Sequence, residues 1–110
     1  MPFAQGEALV LPFPYSDRLA EKRRPAVVIS RPSFEQNHGL VWVAMVTSDR
    51  GKPLAYDVSI TQLERVGLPA PSLIRPTKLA TIEPGRVIRV AGTLTKADLQ
   101  SLLSAIRSYL

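Results

Sequence analysis

Two runs constrain the fold of this chain more than anything else in it: AVVIS at 26–30 and LVWVAMVTS at 40–48. Both favour the β conformation, and both are apolar almost without interruption. A strand of that kind has no face to offer water, so it is buried on both sides or lines a barrel interior. The second run is the most hydrophobic stretch of the chain and belongs near the centre of a sheet. Residues 7–13 (EALVLPF) predict a first strand, with Pro12 marking a sheet edge. Polar residues 14–24 predict an exposed loop, and Pro25 sets the start of the second strand.

Further along, RPSFEQNHG at 31–39 reads as a connection closing on Asn37-His38-Gly39, and SDRGKP as a turn. AYDVSI predicts another strand. TQLERVG predicts one or two helical turns closed by Gly67 as a C′ glycine. PAPSLIRP returns in extended form, because each residue before a proline is pushed out of the α region. RVIRVAGTL at 86–94 alternates as a last strand. The C-terminus changes period: Leu99, Leu102, Leu103 and Ile106 fall at i, i+3, i+4 and i+7, with Leu110 extending the stripe. Thr95 stands as N-cap, and Asp98 three residues on makes a weak capping box. The expected fold is mainly β with α: one domain over residues 1–110, a small antiparallel barrel with a C-terminal amphipathic helix.

Composition removes several chemistries. The chain has no Cys and one His, which excludes disulfides, thiolate metal sites and a paired-histidine mechanism. The nine acids are scattered, without the spacing that gathers carboxylates on a catalytic metal. Glu35-x-x-His38 reads as chance in a loop. Phosphate-loop, dinucleotide and nucleophile-elbow patterns are missing too. No metal and no cofactor is expected. The N-terminus lacks the basic region of a secretory signal, and no window approaches a membrane span, so a soluble cytoplasmic protein is expected. A net charge of +5 and a pI near 10.1 point towards nucleic acid or a merely solvated basic surface. Ten of the 14 basic residues are Arg, the side chain that grips phosphate bidentately.

What remains is a basic residue and a hydroxyl at neighbouring strand ends, Arg24 before the first run and Thr47 closing the second. Such a pair suits the clamping and polarising of a phosphodiester. RNA carries its own nucleophile, the 2′-OH, so alignment and charge stabilisation suffice. The identity of a general base stays open, since Arg remains protonated.

A Gly-acid dipeptide (Gly6-Glu7) leads a V-x-P-F strand. KRRP then precedes an apolar strand, a further apolar strand ends in Thr-Ser, and PSLIRPTKLATI and an amphipathic helix follow. In that order these segments resemble the MazF/PemK toxins of bacterial toxin–antitoxin modules, over nearly the whole chain. The resemblance implies an SH3-like barrel with a C-terminal helix, usually homodimeric. It implies sequence-specific, metal-independent cleavage of single-stranded RNA to 2′,3′-cyclic phosphate and 5′-hydroxyl ends, inhibited by a cognate antitoxin. The family's essential Arg falls on Arg24 and its essential Thr on Thr47, and the loop over the substrate falls on 14–23. Glu7 replaces the family's Asp. Thr77 stands where the family often has an Asp, which touches base preference and a structural ion pair.

Arg18, Lys22 and Arg23 are candidates for a phosphate-attracting rim, with a solvated loop as the alternative. Ser48 is a candidate to back up Thr47, or a plain turn residue. Arg75 and Lys78 are candidate RNA contacts from the second matching segment. Trp42 suits base stacking, but a run so apolar favours core or dimer interface for it. His38 is expected to be an exposed loop residue. Two other functions stay open: a gyrase-poison-like binding protein on the same scaffold, and an RNA-binding domain without catalysis.

Overall fold

The computed structural model describes residues 2–12, 23–49, 51 and 53–110. Six strands form one antiparallel sheet: β1 (Glu7–Pro12), β2 (Arg23–Val28), β3 (Val41–Ser48), β4 (Val58–Ser59), β5 (Ser72–Ile82) and β6 (Arg89–Thr93). Their spatial order is β4-β5-β3-β2-β1-β6, which sets β2 and β3 at the centre. Helix α1 (Pro32–His38) joins β2 to β3, and helix α2 (Lys96–Arg107) follows β6. The expected barrel-like antiparallel sheet with a C-terminal helix is what the chain forms.

Burial follows the two-residue period of the strands. Val27, Ala44 and Val46 face one cluster with Ile74, Leu94 and Leu102 of α2. Ala26, Val28, Val41 and Val43 face the other with Leu9, Leu11 and Ile82, closed by Phe3 and Val87. Residues of the central stretches of β2 and β3 are therefore buried on both faces of the sheet, as their apolar runs require, with Trp42 the exception. Fully burying one such side chain contributes roughly 1.5–3 kcal/mol.

Strand β5 runs straight through Pro76, which the sequence reading left as the end of an extended segment. The pairing with β3 jumps from Ala44↔Leu79 to Met45↔Arg75, so Pro76, Thr77 and Lys78 loop out as a bulge. A proline without an N–H is tolerated there because the ladder is already interrupted.

Several expectations are corrected. Residues 31–39 are a helix rather than a loop: Pro32 starts it, and Gly39 ends it at φ 69°, with its N–H bonded to the Glu35 carbonyl. Proline inside the start and glycine past the end is the signature that reading overlooked. Strand β2 begins at Arg23, so Arg23 and Arg24 are strand residues, not loop. The AYDVSI strand shrinks to Val58–Ser59, preceded by a turn in which Tyr56 adopts φ 68°. The last strand starts at Arg89, after a 3-10 turn at Pro84–Arg86. Trp42 is not core, being 46% exposed and stacked against Phe34 with ring centroids 4.2 Å apart. Leu110 lies past the end of α2 and is 94% exposed.

Thr95 caps α2 as expected, its Oγ1 accepting the Asp98 N–H at 3.1 Å. The Asp98 carboxylate does not return to the cap. It accepts from the Thr61 N–H and hydroxyl instead, tying the helix to the segment after β4. The 3-10 turn Leu63–Val66 ends at Gly67, φ 66°, as anticipated, and packs on β6. Gly92 permits that contact: a Cβ there would stand 1.8 Å from the Arg65 carbonyl oxygen and 2.7 Å from its carbon. Gly92→Ala is therefore expected to destabilise the protein by about 1–3 kcal/mol in urea unfolding. Gly85→Ala, which meets nothing within 4 Å, should be neutral. Equal midpoints for the two would contradict this packing.

Candidate functional site

Arg24 pairs with Leu11 of β1 in the sheet register. On its other side, β2 and β3 pair through Ala26↔Met45, Val27↔Ala44 and Val28↔Val43. Pro25 has no N–H to extend that ladder. Carried two residues further, the same register sets Arg24 directly across from Thr47, where facing Cα atoms stand about 4.5–5.5 Å apart. The two side chains share one face of the sheet. Both are half-buried at its open end.

A cleft of about 380 Å³ lies at this end, lined by Arg23, Arg24, Thr47 and Ser48 on one side. Leu68, Pro69, Ala70 and Ser72 complete its wall. Ser72 is held opposite Ser48 by the β3–β5 register, and the Asp49 N–H bonds the Pro71 carbonyl at 3.0 Å. Among the described residues no carboxylate pairs with Arg24. Two guanidiniums and three hydroxyls around one cleft can hold a tetrahedral anion and stabilise charge growing on it.

Of the residues singled out from sequence, Arg23, Arg24, Thr47 and Ser48 come together here. Arg18 and Lys22, and the loop expected over the site, lie outside the described residues. Arg75 and Lys78 do not line the cleft. Lys78 projects exposed from the β5 bulge. Arg75 faces Met45, and its Nε lies 3.5 Å from Oδ2 of Asp57, whose side chain is wholly buried. That same Oδ2 accepts the Leu54 N–H at 2.7 Å. Thr77 sits exposed in the bulge, and the carboxylate beside Arg75 is that of Asp57.

Glu35 and His38 share a face of α1, and each side chain has a neighbour of its own. Glu35 Oε1 accepts the Phe3 N–H at 2.8 Å, and the His38 ring lies against Phe34. No grouping of three potential ligands occurs among the described residues. The sequence reading missed the 68–70 wall. Its one signal was the Pro-Ala-Pro after the left-handed Gly67, a stiff segment unable to join a ladder.

Removing Asp57 would strand the largely buried Arg75 guanidinium. Asp57→Ala should cost about 3 kcal/mol, read as a lowered denaturation midpoint. A midpoint unchanged within error would show that the pair holds nothing together.

A family model described as "PemK-like, MazF-like toxin of type II toxin-antitoxin system" matches residues 4–110. No protein with a curated description matches the sequence. Among solved structures, MazF from Deinococcus radiodurans is similar with a TM-score of 0.79 at 20% identity, covering 99% of this chain and 96% of that one. A MazE–MazF complex from the same organism gives 0.76 at 19% identity, covering 99% and 95%. An endoribonuclease in complex with its cognate antitoxin, from a mycobacterial species, gives 0.74 at 11% identity, covering 97% and 91%.

Proposed function

Because this chain belongs to the PemK-like, MazF-like toxins of type II toxin–antitoxin systems, we propose that it is a sequence-specific endoribonuclease acting on single-stranded RNA, mRNA included, without a metal. The observation that carries this reading is the meeting of Arg24 and Thr47, with Arg23 and Ser48, in the lining of one open cleft. Arg24 donates to the non-bridging oxygens of the scissile phosphate, and the Thr47 hydroxyl donates beside it. The substrate 2′-oxygen attacks phosphorus and gives up its proton. The bond from phosphorus to the 5′-oxygen breaks, and that oxygen takes up a proton. The products are a 2′,3′-cyclic phosphate and a 5′-hydroxyl, with no net consumption of water. Both donors act most strongly on the charge-rich transition state, which is where binding accelerates a reaction.

Arg23 and Ser48 flank the pair and extend phosphate contact along the cleft. Arg18, Lys22 and Lys78 add positive charge that steers RNA towards it. Arg75 is held against the buried Asp57 carboxylate and is assigned no phosphate contact. A cognate antitoxin inhibits by occupying the same cleft, in line with the antitoxin-bound forms of the similar toxins. Cytoplasmic action follows from the mRNA substrate. Among the described residues no helix is long and apolar enough to cross a membrane.

The working form is a homodimer. Its support is an apolar groove lined by Ile29, Trp42, Leu79, Ile106 and Leu110, beside the exposed Tyr56–Tyr109 ring pair. Exposed apolar surface grouped in this way is characteristic of interfaces. Leu79→Asp should shift the protein from dimer to monomer in analytical ultracentrifugation, and a dimer that persists would place the interface elsewhere.

For catalysis, the decisive assay is cleavage of a long RNA in excess EDTA, with end mapping. Arg24→Ala should lose cutting and keep its fold, because the side chain belongs to neither core cluster. Thr47→Ala should slow it by about 10² or more. Full activity in both variants would remove this site. Tight RNA binding without cutting by the wild-type protein would leave the chain an RNA-binding toxin.

A further inference from the structure

A second depression, about 720 Å³ in volume, adjoins the cleft and shares Leu68, Pro69 and Ser72 with it. Its volume falls in the roughly 300–1,000 Å³ range of small-ligand sites. The electrostatics reverse from one depression to the next. Arg23 and Arg24 line the first. The second is lined by the carboxylates of Asp49 and Glu64, with Gln62 and Ser59 beside them. Among the described residues its one cation is Arg65, whose Nε and Nη2 each lie 3.4 Å from a carbonyl oxygen, of Thr93 and Leu94. Thr61 is committed too, through the Asp98 carboxylate.

With two carboxylates to one guanidinium among its described lining residues, such a place favours a group rich in N–H donors over a phosphate. Leu68, Pro69 and Pro71 add an apolar shelf for a flat ring. The Asp49 carboxylate already accepts the Gly51 N–H through Oδ1. The exposed Glu64 side chain has no such bond among the described residues, so both of its oxygens are available. Guanine alone among the RNA bases presents two adjacent donors, N1–H and the 2-amino group, on its Watson–Crick edge. Those two donors match the two oxygens of one carboxylate.

We infer that this second depression is a base-reading subsite of the ribonuclease, in which Glu64 selects a guanine next to the cut. The inference rests on the activity proposed above. RNA whose phosphate sits between Arg24 and Thr47 has a neighbouring nucleotide at Ser72, where the two depressions meet. The cationic cleft holds the backbone and the acidic one reads the base, the usual division between positioning and specifying contacts.

The test is cleavage of a single-stranded RNA library randomised around the cut, with the ends sequenced, for the wild-type protein and Glu64→Gln. The wild type should favour guanine about tenfold at one position within two nucleotides of the cut. Inosine there, which lacks the 2-amino group, should lower kcat/KM by about tenfold. Glu64→Gln should lower the guanine-over-adenine ratio by a similar factor, with an unchanged circular dichroism spectrum. Cutting with no guanine preference, or a preference that Glu64→Gln leaves intact, overturns the subsite and assigns the depression to a protein partner. No cutting by the wild type overturns the ribonuclease reading itself, and the subsite with it.

Discussion

Everything in this protein hangs on the burial of β2 and β3 on both faces. At Ala26, Val27 and Val28 of β2 and at Val41, Val43, Ala44 and Val46 of β3 the side chains are buried on either side of the sheet, so residue type there is dictated twice over: apolar on the helix side, apolar on the other. Val27 and Ala44 answer to α2, and Val28 and Val43 to the second cluster. A one-residue slip of register would exchange the two sets and break both cores. The pairing of β2 with β3 is thereby fixed, and whatever stands at its open end is fixed with it.

The site exploits the point where that rigidity stops. Pro25 cannot donate to the ladder, and the pairing of β2 with β3 ends beside it at Ala26↔Met45. Arg24 and Thr47 inherit their positions from the core but keep access to solvent. Rigid elements that hold side chains at their ends position them more tightly than loops do. The wall of the cleft is built differently. Gly67 turns the chain, Gly92 lets the turn press against β6, and the Pro-Ala-Pro segment stands free of the sheet because it cannot join a ladder.

Charge is distributed with the same economy. The protein is basic as a whole, yet Arg65 and Arg75 are tied down, by carbonyls in one case and by buried Asp57 in the other. What a polyanion would meet is a local contrast among the described residues: cations in the cleft beside Thr47 and carboxylates in the depression next to it.

The strands around 26–30 and 40–48, the capped C-terminal helix and the Arg–Thr pair were all legible in the sequence. Each is written in local pattern: nearly unbroken apolar runs, a 3.6-residue stripe, a basic residue and a hydroxyl at run ends. Helix α1 was legible too, through Pro32 and Gly39, but a stretch of polar residues with no buried face hid it. The bulge at Pro76, the Asp57–Arg75 pair, the exposure of Trp42 and the cleft wall at 68–70 were not legible. These depend on which strands lie side by side, and β5 meets β3 and β4 across long separations in sequence. Local preference determined what each segment would be. Only the packing of distant segments decided which charges are spent on structure and which stand at the cleft, because a side chain's partners are set by spatial neighbours that no local pattern records.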